Sequence, residues 1–276
     1  MNVSLQPAPS PSSFRRLAIG SWKAPRDPSA YAALELRMER ALAYMESHRA
    51  RSGQRLTVTH LVAKAAADAL RRYPDANVLL RWNRPWVRRH VGVCVLVVQP
   101  EHLGRVDLTT ANLHDADTLA LPDLAAALEA RVQQVRERRD RVIERGKRRS
   151  YRIPNLLLGL ALRLLGFIWY TLNVDLRWMG MPRDPFGSVA ITNVGSLGLE
   201  RAFVAMVPYT RVPLVLAPGS VRDEAVLEGS QVVPGKVMTL TCTYDMRLID
   251  HELAARVLKH MGAALEDPEA TWGSSP

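Results

Sequence analysis

At 276 residues, 47% of them apolar, the chain is long enough for one large domain or two small ones and can bury a real core, which excludes an intrinsically disordered polypeptide. Its two cysteines, Cys94 and Cys242, exclude a disulfide framework, and no Cys/His cluster has zinc-ligand spacing, so no metal is expected. A formal net charge of +10 favours phosphate-bearing partners such as a nucleotide cofactor or an anionic membrane surface; nucleic acid is not expected, because the basic stretch lacks interleaved aromatics and no base-reading motif is present.

The opening MNVSLQPAPSPSS is rich in proline and serine and has no hydrophobic signal core. It predicts a disordered tail over 1–13 on a cytoplasmic protein. Residues 29–50 read as a strand and then a helix, with Ala, Leu and Met at helical spacing from Leu36 and Gly53 as a left-handed stop. RLTVTHLVAKAAADALRRYP predicts a stronger helix. Thr57 or Thr59 caps it, Leu61, Val62, Ala65, Ala66 and Leu70 form its apolar face, and Pro74 ends it. His60, in the first turn, reads as a surface or packing residue. WVRRHVGVCVLVV (86–98) is a nearly continuous β-branched run and predicts one central strand. A long helix is expected over 118–146, with Pro122 and Asp123 suited to its first turn. GSVAITNVGSLG predicts a strand ending in a Gly-rich turn. VPLVLAPGSV and GKVMTLTCTYD predict two more strands joined by a turn-rich link, and a final helix spans 252–265. Both cysteines fall in strand-like runs and should be buried thiols. Strands and helices mix without strict βαβ alternation, which predicts an α+β sandwich with a mixed sheet packed against helices.

Two adjoining stretches stand apart. RERRDRVIERGKRRSYR (136–152) is densely basic, and residues 153–181 are intensely apolar and about long enough to cross a bilayer. Arg163 in mid-run, Asp175 and Arg177 near its end and the interrupting glycines argue against a span. A buried helical hairpin, an oligomer contact or an interfacial anchor beside the basic run fits better.

TYDMRLIDHELAARVL (243–258) crowds carboxylates, an arginine and a histidine at one strand-to-helix corner. YDMRLIDHELAARVL resembles the DHRxxDGxxAARFL signature of dihydrolipoyl acyltransferases, the catalytic domains of 2-oxo-acid dehydrogenase complexes, which share a fold with chloramphenicol acetyltransferase. VAITNVGSLG is similar to that family's TxSNxG strand-turn motif. LTVTHLVAKAAADALRRYPDANVLL, HVGVCVLV and HDADTLALPDLAAAL resemble its N-terminal half in order and spacing. The resemblance covers most of 14–271. It implies one catalytic domain over 14–271 with a basic and then hydrophobic insertion at about 136–181, a short tail at 272–276, a homotrimer with active sites in channels between subunits, and coenzyme A or acyl-CoA as substrate.

The family's chemistry is thioester exchange. A histidine takes a thiol proton, the thiolate attacks an acyl thioester, and a Ser/Thr hydroxyl stabilises the oxyanion. Carried over, the hydroxyl falls on Thr192, Asn193 and Gly195 keep the turn with Ser196 beside them, and the structural aspartate falls on Asp250, with Arg15 or Arg16 as its partner. Asp245 and Arg247 match the residues flanking the histidine. The histidine itself falls on Met246 and the following glycine on His251. A thioether takes no proton at neutral pH, so the resemblance implies altered or weak catalysis. His251 is the candidate substitute base, although its place in the first helical turn points it elsewhere. Asp250 also reads as a helix cap. The family's Gly-Leu-x-x-Pro-Val stretch is replaced by LGRVDLTTANL, and no lipoyl attachment is expected on this chain. Two functions follow: an acyltransferase acting on a thiol acceptor, or a non-catalytic trimeric pseudoenzyme serving as scaffold or regulator. Peripheral attachment to an anionic membrane through 136–181 is compatible with either.

Overall fold

A computed structural model of the chain describes residues 2–7, 27–100, 106–140, 144–146 and 153–273. Its centre is a seven-stranded mixed sheet. Strands β2 (Ser29–Arg37), β10 (Gln231–Asp245), β8 (Leu214–Pro218), β7 (Val189–Ile191), β5 (Val93–Pro100) and β6 (Val106–Leu113) lie side by side in that order, with β9 (Arg222–Glu228) paired to β10. The β5–β7 and β7–β8 pairs are parallel and the others antiparallel. β8 is buried along its whole length, which is why LVLAP is almost wholly apolar.

Helices α1 (Glu39–Ser52), α2 (Val58–Arg72), α3 (Leu121–Arg136), α5 (His251–Glu266) and the short α6 (Pro268–Trp272) pack with the sheet around one core. α2 touches β5, β7 and β8 as well as α3 and α5, and ten of its residues are buried. Its alanines allow that close approach, and burying a leucine such as Leu61 or Leu70 contributes roughly 2–3 kcal/mol. α1 stops at Gly53, which takes φ 73° as its C-cap. α4 (Asn155–Gly166) lies apart. It runs into a wider π turn at Phe167–Thr171, where Trp169 and Tyr170 join Val3, Leu79 and Leu176 in a second apolar cluster. Above that cluster sits a small sheet, β1 (Leu5–Pro7), β4 (Arg84–Arg88) and β3 (Val78–Arg81).

Several expectations change. The tail foreseen over 1–13 is structured where it is described: β1 pairs antiparallel with β4, and Val3 exchanges hydrogen bonds with the Asn173 side chain at 2.6 and 2.8 Å. The single strand expected over 86–98 is two strands in different sheets. The chain breaks between them because Gly92 lies against Gly187, where an added Cβ would come within 2.8 Å of backbone. The long helix ends at Arg136, and Arg138 takes a left-handed φ of 55°. The turn-rich link before β10 is itself the strand β9, whose polar sequence suits an exposed ribbon. The apolar segment forms one helix rather than a buried hairpin, and its leucines are split between an inward and an outward face. Both cysteines are free and buried, and burial pushes each thiol up to about 12. No described helix is long and apolar enough to cross a membrane.

Candidate active site

Thr192 follows the last residue of β7, and its backbone N–H still donates to Leu216 O at 3.0 Å, so the sheet itself sets its position. Asn193 then braces the turn. Its amide donates to Thr59 Oγ1 at 2.9 Å, its Oδ1 accepts from the Ser196 N–H at 3.0 Å, and its carbonyl accepts from Ser196 Oγ at 2.7 Å. Gly195 begins the helical turn Gly195–Leu197 and presses on the backbone after β8, where an added Cβ would lie 2.3 Å from Gly219 O. This is the physical reason the sequence needs a glycine there.

The turn faces the start of α2. Thr57 caps that helix, accepting from the His60 N–H at 3.3 Å. Between them lies a cavity of about 880 Å³, bounded by Thr192, Asn193 and Ser196, by Thr57, Thr59 and His60, by Glu129 of α3, and by residues 95–98 of β5. His60 is buried, and burial lowers its pKa below the ordinary 6.5 while Glu129 works against the shift.

The second half of the site is the corner after β10. Arg247 grips the Asp245 carboxylate with Nε at 3.0 Å and Nη2 at 2.7 Å, and its backbone N–H donates to Asp245 Oδ1 at 3.0 Å. Between them Met246 donates its backbone N–H to Pro28 O at 3.0 Å, and its partly buried side chain packs on the main core. Asp250 caps α5 through Leu253 N–H at 2.9 Å, as the sequence suggested. His251 is exposed, with Nδ1 hydrogen-bonded to Tyr244 Oη at 2.5 Å and its ring edge-on to the tyrosine. Burial, Cys242 and Asp250 hold the Tyr244 phenol above its ordinary 10. Beside this corner opens a second cavity of about 840 Å³, to which Asp245, Arg247, Trp82, Phe167 and Arg211 contribute. Burial and then the nearby Arg247 lower the Arg211 pKa. Arg15 and Arg16, the expected partners of Asp250, lie outside the described residues.

The two halves do not meet within one chain. Register pairs Ala217 with Thr241, and Thr192 lies one residue beyond the Ile191–Leu216 pair, whereas Met246 is five residues past Thr241 on an antiparallel strand. At about 3.4 Å per residue and about 4.8 Å per strand, Thr192 and Met246 are separated by roughly 20 Å. Sequence reasoning found Thr192, Asn193, Gly195, Ser196, Asp250 and Met246 through motif resemblance. It missed the joint wall of His60 and Glu129, because residues 69 positions apart meet only when α2 and α3 pack together. It also missed Trp82 and Arg211, whose positive φ angles of 51° and 52° mark turns that no local pattern announced.

Comparison with known proteins agrees with this architecture. Residues 23–144 and 186–272 match the model of the 2-oxoacid dehydrogenases acyltransferase (catalytic domain) family, leaving out 145–185, which includes α4. The chain is 25% identical over 222 residues to the dihydrolipoyllysine-residue acetyltransferase component of the acetoin cleaving system of Bacillus subtilis, covering 80% of this chain and 44% of that protein. It thus spans less than half the length of the curated relatives it matches. Among solved structures, a probable dihydrolipoamide acetyltransferase from Listeria monocytogenes superposes with a TM-score of 0.63 at 17% identity, covering 94% of each chain. Dihydrolipoamide acetyltransferase from Azotobacter vinelandii gives 0.65 at 20% identity, covering 95% of this chain and 93% of the other. Both show that the fold is shared. With well over half its residues in the family match, the chain belongs to the 2-oxoacid dehydrogenase acyltransferase (catalytic domain) family.

Proposed function

We propose that this chain is an acyltransferase that moves an acyl group between coenzyme A and a thiol acceptor. It works as a homotrimer in which the Thr192 cavity of one subunit receives the Met246 corner of the next. The observation that carries this reading is Thr192 itself, a half-buried hydroxyl fixed by the sheet, beside a braced turn and open to a cavity. A thiolate attacking an acyl thioester generates a tetrahedral oxyanion, and a pre-positioned hydroxyl donor stabilises that charge without reorganisation. The roughly 20 Å between Thr192 and Met246 in one chain supports a site shared between subunits.

Met246 removes the proton acceptor that the family resemblance places at the corner. Loss of a general base typically costs about 10²–10⁴-fold. A thiol acceptor softens this, since a group with a pKa near 8.5 is about a few per cent thiolate at pH 7. His251 serves in this reading to anchor α5 on Tyr244. The test is acyl-CoA consumption with a small dithiol acceptor by wild type and Thr192→Val, with the assembly measured by sedimentation equilibrium. Turnover that falls in the variant supports the reading. An intact trimer with no turnover would instead identify a non-catalytic scaffold or regulator.

A second role at an anionic membrane surface, from the cytoplasmic side, is favoured by α4. Leu156 is 92% exposed, and Leu156, Leu160 and Leu164 form one outward stripe at spacing i, i+4, i+8; Trp178, later in the same segment, is 80% exposed. The basic run 136–152 precedes it. Flotation with phosphatidylserine vesicles tests this: Leu156→Ser/Leu160→Ser should remove binding, and failure of wild type to float rules it out.

A further inference from the structure

We propose that His60 is the proton acceptor of this reaction, a catalytic base on the wall of the Thr192 cavity that takes over the task Met246 cannot perform. The inference rests on the acyltransferase reading above. His60 is 5% exposed in the first turn of α2, yet its ring makes no hydrogen bond among the described residues. Nδ1 is buried without a partner, and Nε2 is turned to Glu129 Oε2 at 3.9 Å, an ion-pair distance beyond hydrogen-bond reach. Leaving a buried polar group unpaired costs about 1–3 kcal/mol, so packing alone is a poor reason to keep an imidazole there. Its neighbours Leu61 and Val62 are fully buried aliphatics. The cavity it lines also holds Thr192, the oxyanion donor of the proposed reaction, and the Asn193–Thr59 hydrogen bond ties the Thr192 turn to the residue next to His60.

The charged groups around the ring suit the role. Glu129 of α3 faces Nε2, and Arg55 and Arg136 line the same cavity. Burial favours the neutral ring, and its place at the positive end of the α2 dipole acts in the same direction. Glu129 offsets both once the ring is protonated. In the reaction, His60 accepts the proton of the acceptor thiol, and the thiolate sulfur bonds to the carbonyl carbon of the acyl-CoA. Thr192 donates to the oxyanion. The bond from carbon to the coenzyme A sulfur then breaks, and that sulfur recovers the proton from the imidazolium. An acyl thioester of the acceptor and free coenzyme A result, with His60 regenerated.

The experiment is kcat/KM for acetyl-CoA and a small dithiol at pH 7 and pH 9.5, for wild type and His60→Gln, with circular dichroism to establish folding. The expected result is a loss of about 10²-fold at pH 7. That loss should shrink to less than about tenfold at pH 9.5, where the thiol ionises unaided. Added imidazole should restore part of the activity of His60→Gly. Wild-type turnover with His60→Gln within twofold at pH 7, or with an equal loss at both pH values and no imidazole response, overturns the base while leaving the acyltransferase reading intact. A silent wild type overturns both. Should His60→Gln not fold, Glu129→Gln carries the test. Removing that carboxylate should move the acid limb of the kcat/KM profile to lower pH, and an unmoved limb overturns the role.

Discussion

At the Thr192 end of the sheet, the Asn193–Thr59 hydrogen bond ties a turn braced by Ser196 to a helix start capped by Thr57, beside a cavity lined by a buried imidazole whose Nδ1 has no hydrogen-bond partner among the described residues. At the Met246 end the scaffolding is just as complete, with Asp245 chelated by Arg247 and Asp250 capping α5, but the side chain at the centre is a thioether packed on the core. Positioning groups are present at both ends, but the imidazole of the first is buried against its cavity, whereas that of the second, His251, is exposed and bound to Tyr244. The geometry of a strand-to-helix corner does not depend on its chemistry, because the cap and the ion pair hold the fold whichever side chain stands between them.

Four measurements would break or sharpen that contrast. The largest effect is expected for Thr192→Val, which removes the proposed oxyanion donor and should lower kcat/KM for acyl transfer by about 10²–10³-fold. Its denaturation midpoint should stay near wild type; unchanged turnover would move the chemistry away from this end. Next, Met246→His in a His60→Gln background should raise kcat/KM at pH 7 by about tenfold or more over His60→Gln alone, since it places a base at the corner. A flat response would show that the corner does not face the acceptor thiol.

Smaller effects concern stability. Asp250→Ala and Thr57→Ala each remove an N-cap, one at each end, and urea denaturation should report a loss of about 1 kcal/mol for either. A loss at only one end would mean that the two corners are not equivalent scaffolds. The smallest is the pH dependence that His60 imposes. Its native pKa is depressed, so below pH 6.5 the unfolded state takes up a proton that the native state declines. Stability should therefore fall as pH drops from 6.5 towards the lowered native value, and His60→Gln should flatten that part of the profile. His114, whose pKa burial also lowers, contributes a slope of the same sign.

The elements whose signals are local were legible in the sequence. α2 was announced by Thr57 or Thr59 as cap, a 3.6-residue apolar face and Pro74. α5 was announced by Asp250, and the turn after β7 by its asparagine and glycines. The elements that went unread depend on partners distant in the chain. β1 is a strand because β4 and Asn173 meet it, and β9 is one because β10 folds back on it despite its polar side chains. The break at Gly92 was hidden in a continuous β-branched run, since only the approach of Gly187 requires it.

By itself, then, the sequence determined the α+β class, the caps, the motif order and the absence of a histidine at position 246, because each of these is carried by residue type and short spacing. Only the tertiary structure decided that Thr192 and Met246 sit at opposite ends of the sheet, that His60 is buried beside Glu129 in the Thr192 cavity, and that one face of α4 is left uncovered. Register, helix packing and burial are properties of chain segments far apart in sequence, and no local pattern encodes which of them will meet.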